Sequence, residues 1–326
     1  MRYAAPWWLP GGNAQTIWAA VGARRRFGPS PRWRRERWIT PDGDFVDLDW
    51  AADAAAEESR PLLVLFHGLE GSSRSHYAQA FADFARERDI DFVVPHFRGC
   101  SGEINQGPRA YHSGDHAEVG WILSRLRQQR RGPLVAVGVS LGGNALLRWA
   151  GELGEAAAAS VAAVAAVCAP LDLAAGSRAI GRGFNRAVYA AMFLRSMKPK
   201  AIAKFRQHPG LFDAVRLVAA RDLYEFDDVF TAPLHGFRDA DDYYERASAK
   251  PYLHRIRIPA VALNAGNDPF VPAGSLPRPD EVGGHVTLWQ PAQGGHVGFP
   301  AGRFPGHVRA MPAQVGGWLL DHIGTR

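Results

Sequence analysis

The pentapeptide Gly138-Val139-Ser140-Leu141-Gly142 carries the strongest chemical signal in the chain. It follows an apolar run at residues 133–137 and precedes a helix-like segment at 144–149, so a strand leads in and a helix leads out. A strand that turns sharply into a helix pushes the middle side chain into an exposed, strained position, and only residues without bulk fit at both flanks. With 35 glycines in the chain the bare pattern is short enough to arise by chance. The strand, turn and helix around it make Ser140 a candidate nucleophile.

A serine hydroxyl is a weak nucleophile alone; it needs a base within hydrogen-bond reach and an acid that orients the base. An elbow of this kind expects the acid beyond a late strand and the base beyond the last one. Asp268, in Asn267-Asp268-Pro269-Phe270, follows the strand-like run 258–264, and His296, in Gly294-Gly295-His296-Val297-Gly298-Phe299, follows the run 285–290. Asp172 is the rival acid, but its Pro170-Leu171-Asp172-Leu173 setting reads as a helix cap. His285 opens a strand instead of leaving one, which points it the wrong way. Asp227, Asp228, Asp239, Asp241 and Asp242 read as surface charges or helix ends. Attack on an ester carbonyl also needs backbone N–H donors for the oxyanion, and the expected pair is Leu69, after His67-Gly68, and Leu141, after the nucleophile. His67 itself reads as a loop-stabilising residue.

These groups must be positioned by a scaffold, and the rest of the chain supplies one. Residues 34–39 and 45–50 alternate in hydrophobicity around Thr40-Pro41-Asp42-Gly43-Asp44, which predicts a β-hairpin. A polar, alanine-rich connection leads to a buried strand at 61–66, a helix through Ala78, Phe81, Phe84 and Ala85, and a strand at 90–95. A helix at 115–129 carries Val119, Ile122, Leu123 and Leu126 on one face, and a further strand lies at 161–167. All-apolar strands alternating with helices predict an α/β fold, a mostly parallel central sheet with helices on both faces and the antiparallel hairpin at one edge. Between 171 and 256 the strand signal vanishes and helical spacing takes over, as at Ala187, Ala190, Ala191 and Leu194. The expected organisation is a core of residues 1–170 and 257–326, with an N-terminal arm at 1–33, and an inserted helical cap at 171–256. A final helix spans 308–323.

Composition narrows the class. Hydrophobic residues at 47% and charged residues at 21% fit a globular chain with a large buried sheet. Two cysteines, Cys100 and Cys168, are too few for a disulfide framework. No long apolar segment is present, so a cytoplasmic location is expected. The charge of +6 is concentrated in Arg24, Arg25, Arg26, Arg32, Arg34, Arg35 and Arg37, beside Trp33 and Trp38. Such a patch suits peripheral contact with an anionic membrane surface; a solvated edge strand with arginine stems over apolar surface is the preferred reading. No nucleic-acid module accompanies it.

The motifs together resemble the α/β-hydrolase superfamily, and within it the YheT-like group of ABHD-type esterases and yeast ethanol acyltransferases. The likeness runs through Gly12-Asn13-Ala14-Gln15-Thr16, His67-Gly68-Leu69-Glu70-Gly71, Phe97-Arg98-Gly99-Cys100-Ser101-Gly102, Gly138 to Asn144, Glu225-Phe226-Asp227-Asp228, and the Asp268 and His296 segments. Carried over position by position, the resemblance implies Ser140 as nucleophile, Asp268 as acid and His296 as base. Many relatives read His-Leu-Gln-Thr where this chain has Asn13-Ala14-Gln15-Thr16. The expectation is a serine hydrolase acting on small acyl esters, of short to medium chain length, through an acyl-enzyme, with no metal or organic cofactor. The acyl-chain expectation rests on Phe184, Tyr189, Met192, Phe193 and Met197. An acyltransferase using the same acyl-enzyme and a non-catalytic binding protein are the alternatives, and oligomeric state is left open.

Overall fold

The computed structural model describes residues 3–51 and 58–323. Residues 52–57, in the alanine-rich connection, lie outside the described residues. Eight strands form one sheet: β1 (Trp33–Ile39), β2 (Phe45–Ala51), β3 (Leu62–Phe66), β4 (Asp91–Pro95), β5 (Leu134–Val139), β6 (Ala163–Val167), β7 (Ala260–Leu263) and β8 (Val286–Trp289), in the order β1-β2-β4-β3-β5-β6-β7-β8. β2 runs antiparallel to β1 and β4, and the pairs from β4 to β8 are parallel. β3, β5 and β6 are buried along their whole length, because helices cover both faces and leave no residue a polar side to face.

The helices in chain order are α1 (Gly12–Val21), α2 (His76–Glu87), α3 (His116–Gln129) and α4 (Leu141–Leu153) before β6, and α12 (Ala310–Asp321) after β8. On one face Val64, Phe66 and Ala136 pack with Val119, Ile122 and Leu123 of α3 and Leu146 and Trp149 of α4. On the other, Leu63, Leu65, Val135 and Val137 pack with Ala78, Phe81 and Phe84 of α2 and Met311, Val315 and Leu319 of α12. Alternation along each strand therefore feeds two apolar layers. Each fully buried large side chain in them contributes about 1.5–3 kcal/mol.

The segment between β6 and β7 contains no strand. It holds α5 (Leu173–Ile180), the single turn α6 (Gly183–Asn185), which passes through a π-helical stretch (Arg186–Ala190) into α7 (Ala191–Gln207), and α8 (Ala214–Ala219). α9 (Leu223–Phe226) runs through a second π-helical stretch (Asp227–Thr231) into α10 (Ala232–Leu234), and α11 (Ala240–Ala247) follows. These helices bury an apolar cluster of their own around Leu217, Phe226 and Phe230.

The arginine-rich edge is matched in charge by its neighbour. The β1–β2 register sets Arg35 opposite Asp49 and Arg37 opposite Asp47, with N–O contacts of 2.8 and 2.7 Å. Trp38 is buried, and the Arg125 guanidinium lies 4.4 Å from its ring centroid. Charged, half-exposed side chains on the outer strand also discourage pairing with another chain. No helix among the described residues is long and apolar enough to cross a membrane.

Candidate active site

Ser140 sits alone between β5 and α4 with φ 52° and ψ −117°, a conformation costly for a residue with a side chain. The flanking glycines make the turn possible: a Cβ on Gly138 would lie 2.4 Å from the Gly142 carbonyl oxygen, and one on Gly142 would lie 2.4 Å from that of Phe66. The Ser140 carbonyl accepts from the Gly143 and Asn144 amides at 2.9 and 3.1 Å, which starts α4. Buried Asn144 ties the elbow to the helical segment, donating to the Ser113 and Ala247 carbonyls and accepting from the Ala249 amide.

Loops beyond β7 and β8 bring Asp268 and His296 to the serine. His296 Nε2 lies 3.0 Å from Ser140 Oγ, and His296 Nδ1 lies 2.9 and 3.2 Å from the two oxygens of Asp268. A carboxylate can only accept, so Nδ1 carries the proton and Nε2 is left as the acceptor for the serine O–H. The Asp268 carboxylate is held in turn by the Phe270 and Val271 amides, at 2.8 and 3.2 Å. The Phe270 ring lies over the imidazole, with centroids 4.2 Å apart. This arrangement can draw the proton from Ser140 as its oxygen attacks a carbonyl, and later return it to a leaving group.

Residues from the far N-terminal end of the chain hold these two loops together. Thr16 Oγ1 accepts from the His296 amide at 2.8 Å, and Gln15 Oε1 accepts from the Gly294 amide at 2.9 Å and from Asn267 Nδ2 at 3.1 Å. Asn267 Oδ1 accepts from the Gly295 amide at 3.0 Å, closing the network. Gly12, at the start of α1, lies so close to this junction that a Cβ would fall 1.8 Å from the Asn267 carbonyl oxygen. The N-terminal Gly12 to Thr16 motif is thus a cradle for the loops that carry Asp268 and His296. The motif itself was visible in the sequence; its contacts span some 280 positions and were not.

On the other side of Ser140, the Leu69 and Leu141 amides make no hydrogen bond among the described residues, and both residues line the cavity that contains Ser140. The Leu69 loop is pinned from several directions. The Gly68 amide donates to the Tyr77 hydroxyl at 2.9 Å, the Glu70 amide donates to the Tyr111 hydroxyl at 3.0 Å, and Lys200 of α7 pairs with the Glu70 carboxylate at 2.9 Å. His67 is fully buried; Nδ1 donates to the Gly68 carbonyl at 2.8 Å, while Nε2 accepts from the Phe97 amide at 3.1 Å.

With both nitrogens committed and the ring fully buried, His67 is held neutral, and burial drives its pKa down to about 3; burial likewise lowers that of His76 to about 4. The sign follows from proton counting. Unfolded imidazoles take up protons below about 6.5 while these folded ones do not, so stability is complete above that pH and is lost as pH falls toward 4 and 3. The denaturant midpoint is expected to drop steadily between pH 6.5 and 4, and His67→Gln is expected to flatten that slope. A midpoint independent of pH over this range contradicts the assignment.

The remaining acids and histidines divide clearly. Asp172 caps α5, accepting from the Ala175 amide at 2.9 Å, and His285 is exposed at the opening of β8. Asp239 caps α11, and Asp228 and Asp242 pair with Arg216 and Arg246. Asp227 departs from the expectation of a surface charge or helix end. It lies in the second π-helical stretch and lines the same cavity as Ser140, where the Thr231 and Tyr244 hydroxyls donate to it at 2.6 and 2.7 Å. The cavity measures about 140 Å³. Of the five apolar residues expected to receive an acyl chain, Phe193 and Met197 line it, Phe184 and Met192 are exposed, and Tyr189 packs on Phe270. Ile180, Leu223, Phe226 and Phe230 are among the other residues of the apolar wall. Cys168, Asp268 and His296 place donor atoms within 4.8 Å of one another, but the acid and base bond each other and the Cys168 sulfur accepts from the Val297 amide.

Residues 61–302 match the family described as the alpha/beta hydrolase fold. The chain belongs to the α/β hydrolases. Within that family, this hydrolase is 38% identical over 306 residues to YheT of Escherichia coli (strain K12), covering 93% of this chain and 88% of that one. It is 30% identical over 288 residues to the mouse phospholipase ABHD3, covering 85% and 69%, which places it in the YheT-like group. Among solved structures, the Est1E protein of Butyrivibrio proteoclasticus, with ferulic acid bound, superposes with a TM-score of 0.57 at 14% identity, covering 89% of this hydrolase and all of that chain (100%). That likeness is one of fold.

Proposed function

We propose that this α/β hydrolase is a serine hydrolase that cleaves carboxylic esters through an acyl-enzyme on Ser140. The observation that carries the reading is the unbroken contact from Ser140 Oγ to His296 to Asp268, next to two backbone amides that have no other partner among the described residues. In this reading His296 removes the serine proton as Oγ attacks the ester carbonyl. The Leu69 and Leu141 amides receive the oxyanion, where preorganised donors act most strongly. His296 then protonates the departing alcohol, and water, activated by the same imidazole, releases the acid. No step calls for a metal or an organic cofactor. That a relative is named a phospholipase, together with the apolar wall of the cavity, supports acyl esters or lipids as substrates. Residues 171–256 act as a cap whose inner surface sets chain length, with Phe193 and Met197 among the residues that meet the acyl chain.

Hydrolysis of p-nitrophenyl esters from acetate to dodecanoate tests this reading. The expected rates are highest for short to medium chains and fall for long ones, and a fluorophosphonate probe is expected to stop turnover by phosphonylating Ser140 with loss of fluoride, which adds the mass of the probe less HF to the peptide containing Ser140. Adduct formation elsewhere, or a full set of esters left intact, overturns the proposal. Equal rates across the series would remove the chain-length assignment alone.

A further inference from the structure

We propose that Asp227 forms a cation-binding subsite in the cavity of Ser140, so that the preferred esters carry an amine or quaternary ammonium group at a distance from the scissile bond. The inference rests on the ester-hydrolase reading above and names a substrate class for it.

Three observations converge on this residue. First, Asp227 opens a π-helical stretch between α9 and α10, a geometry found mostly as single-turn insertions in α-helices and frequently at functional sites, and it lines the cavity together with Phe226, Phe230 and Tyr243. Second, each carboxylate oxygen takes a single hydroxyl, from Thr231 on one side and Tyr244 on the other, and Ser177 in turn donates to the Tyr244 oxygen at 2.9 Å. A carboxylate has about four acceptor positions, so two remain for a ligand. Third, Asp227 forms no ion pair with a Lys, Arg or His among the described residues, and the cations that share the cavity are engaged elsewhere. Lys200 is paired with Glu70, Lys204 donates to the Asn105 and Gly107 carbonyls, and Arg98 is held by Asp42, Asp44 and Glu118.

An unpaired carboxylate beside an apolar wall is costly, and the usual remedies are a counter-charge or neutralisation. Burial raises the Asp227 carboxyl to about 6, so above neutral pH it remains ionised and a cation is the better occupant than a neutral donor. Aromatic residues at the same place favour an ammonium further, because a cation held near a ring face is attracted to it. If the carboxylate only fastened α11 to the π-helical stretch, the charge of the substrate would not matter.

Two esters of nearly the same shape separate these roles: 2-(trimethylammonio)ethyl butyrate and its neutral counterpart 3,3-dimethylbutyl butyrate, assayed at pH 8. The wild-type enzyme is expected to favour the cationic ester in kcat/KM by on the order of tenfold, and Asp227→Asn is expected to bring the ratio toward one. Tetramethylammonium is expected to inhibit wild-type hydrolysis of p-nitrophenyl butyrate competitively, a measurement that needs no variant to fold. A ratio near one in the wild type, a ratio that Asp227→Asn leaves unchanged, or absence of inhibition by tetramethylammonium overturns the subsite. If the wild-type enzyme hydrolyses neither ester nor p-nitrophenyl butyrate, the hydrolase reading is what fails, and calorimetric titration with tetramethylammonium then decides the subsite by itself: binding that Asp227→Asn abolishes supports it, and no binding ends it.

Discussion

Ser140→Ala is expected to lower kcat/KM for p-nitrophenyl butyrate by about four to six orders of magnitude while leaving the denaturation midpoint within experimental error. The substitution removes one atom. The Cβ that makes φ 52° costly is present in both residues, so the strain of the elbow is unchanged. The lost oxygen contacts His296 at 3.0 Å, and the cavity stays open to water, which can replace the hydroxyl as a partner for the imidazole. What disappears is the nucleophile, and with it the route through an acyl-enzyme. The Leu69 and Leu141 amides persist, so a residual acceleration over the uncatalysed reaction is expected from oxyanion binding alone. Retention of more than about one part in a hundred of the wild-type rate is incompatible with that chemistry. Fluorophosphonate labelling should vanish in the same variant.

The scaffold was legible in the sequence because its signals are local. Residues 62–66 are apolar without a break, as a strand covered on both faces requires, and the 34–39 and 45–50 segments alternate around a turn as the paired strands of a hairpin do, although only β1 is half-exposed and residues 45–50 are all buried, Asp47 and Asp49 among them. The elbow was legible for a similar reason: strand, two glycines and helix lie within one short stretch, and the close approach that excludes a Cβ at Gly138 and Gly142 is written into those residue types. Asp268 and His296 could be nominated because each follows a strand end, a position that topology turns toward Ser140.

What escaped the sequence is what depends on contacts between distant segments or on the rotation of a single turn. The bonds from Gln15 and Thr16 to the histidine loop cross most of the chain, and a buried glutamine near the N-terminus carries no local mark of that role. Asp227 and Asp228 are adjacent acids in one run. The π-helical turn directs Asp227 to the cavity and Asp228 to Arg216, and an extra residue per turn in a helix cannot be read from acidic side chains. The arginine patch stands out in composition, but its cross-strand partners do not: the β1–β2 register places Arg35 and Arg37 against Asp49 and Asp47.

Asp268→Asn carries the second large expectation, a loss in kcat of about ten-thousandfold with the fold intact. The argument turns on which end of the amide faces the histidine. In the carboxylate, Oδ1 accepts from the Phe270 and Val271 amides while Oδ2 makes the shorter contact with His296 Nδ1. An asparagine must keep its oxygen against those two backbone donors, so its NH2 group takes the place of Oδ2 and donates to Nδ1. The imidazole is then forced into the tautomer with its proton on Nε2, and a protonated Nε2 cannot accept the Ser140 proton. The Gln15 and Thr16 cradle grips the backbone of the histidine loop and leaves the ring as it is, so it offers no correction. Asp172→Asn is the matching control. Its carboxylate only caps α5, asparagine caps a helix about as well, and activity within about twofold of wild type is expected. If the two substitutions cost the same, Asp268 is not the group that sets the tautomer, and the path from acid to base to serine has to be drawn through another residue.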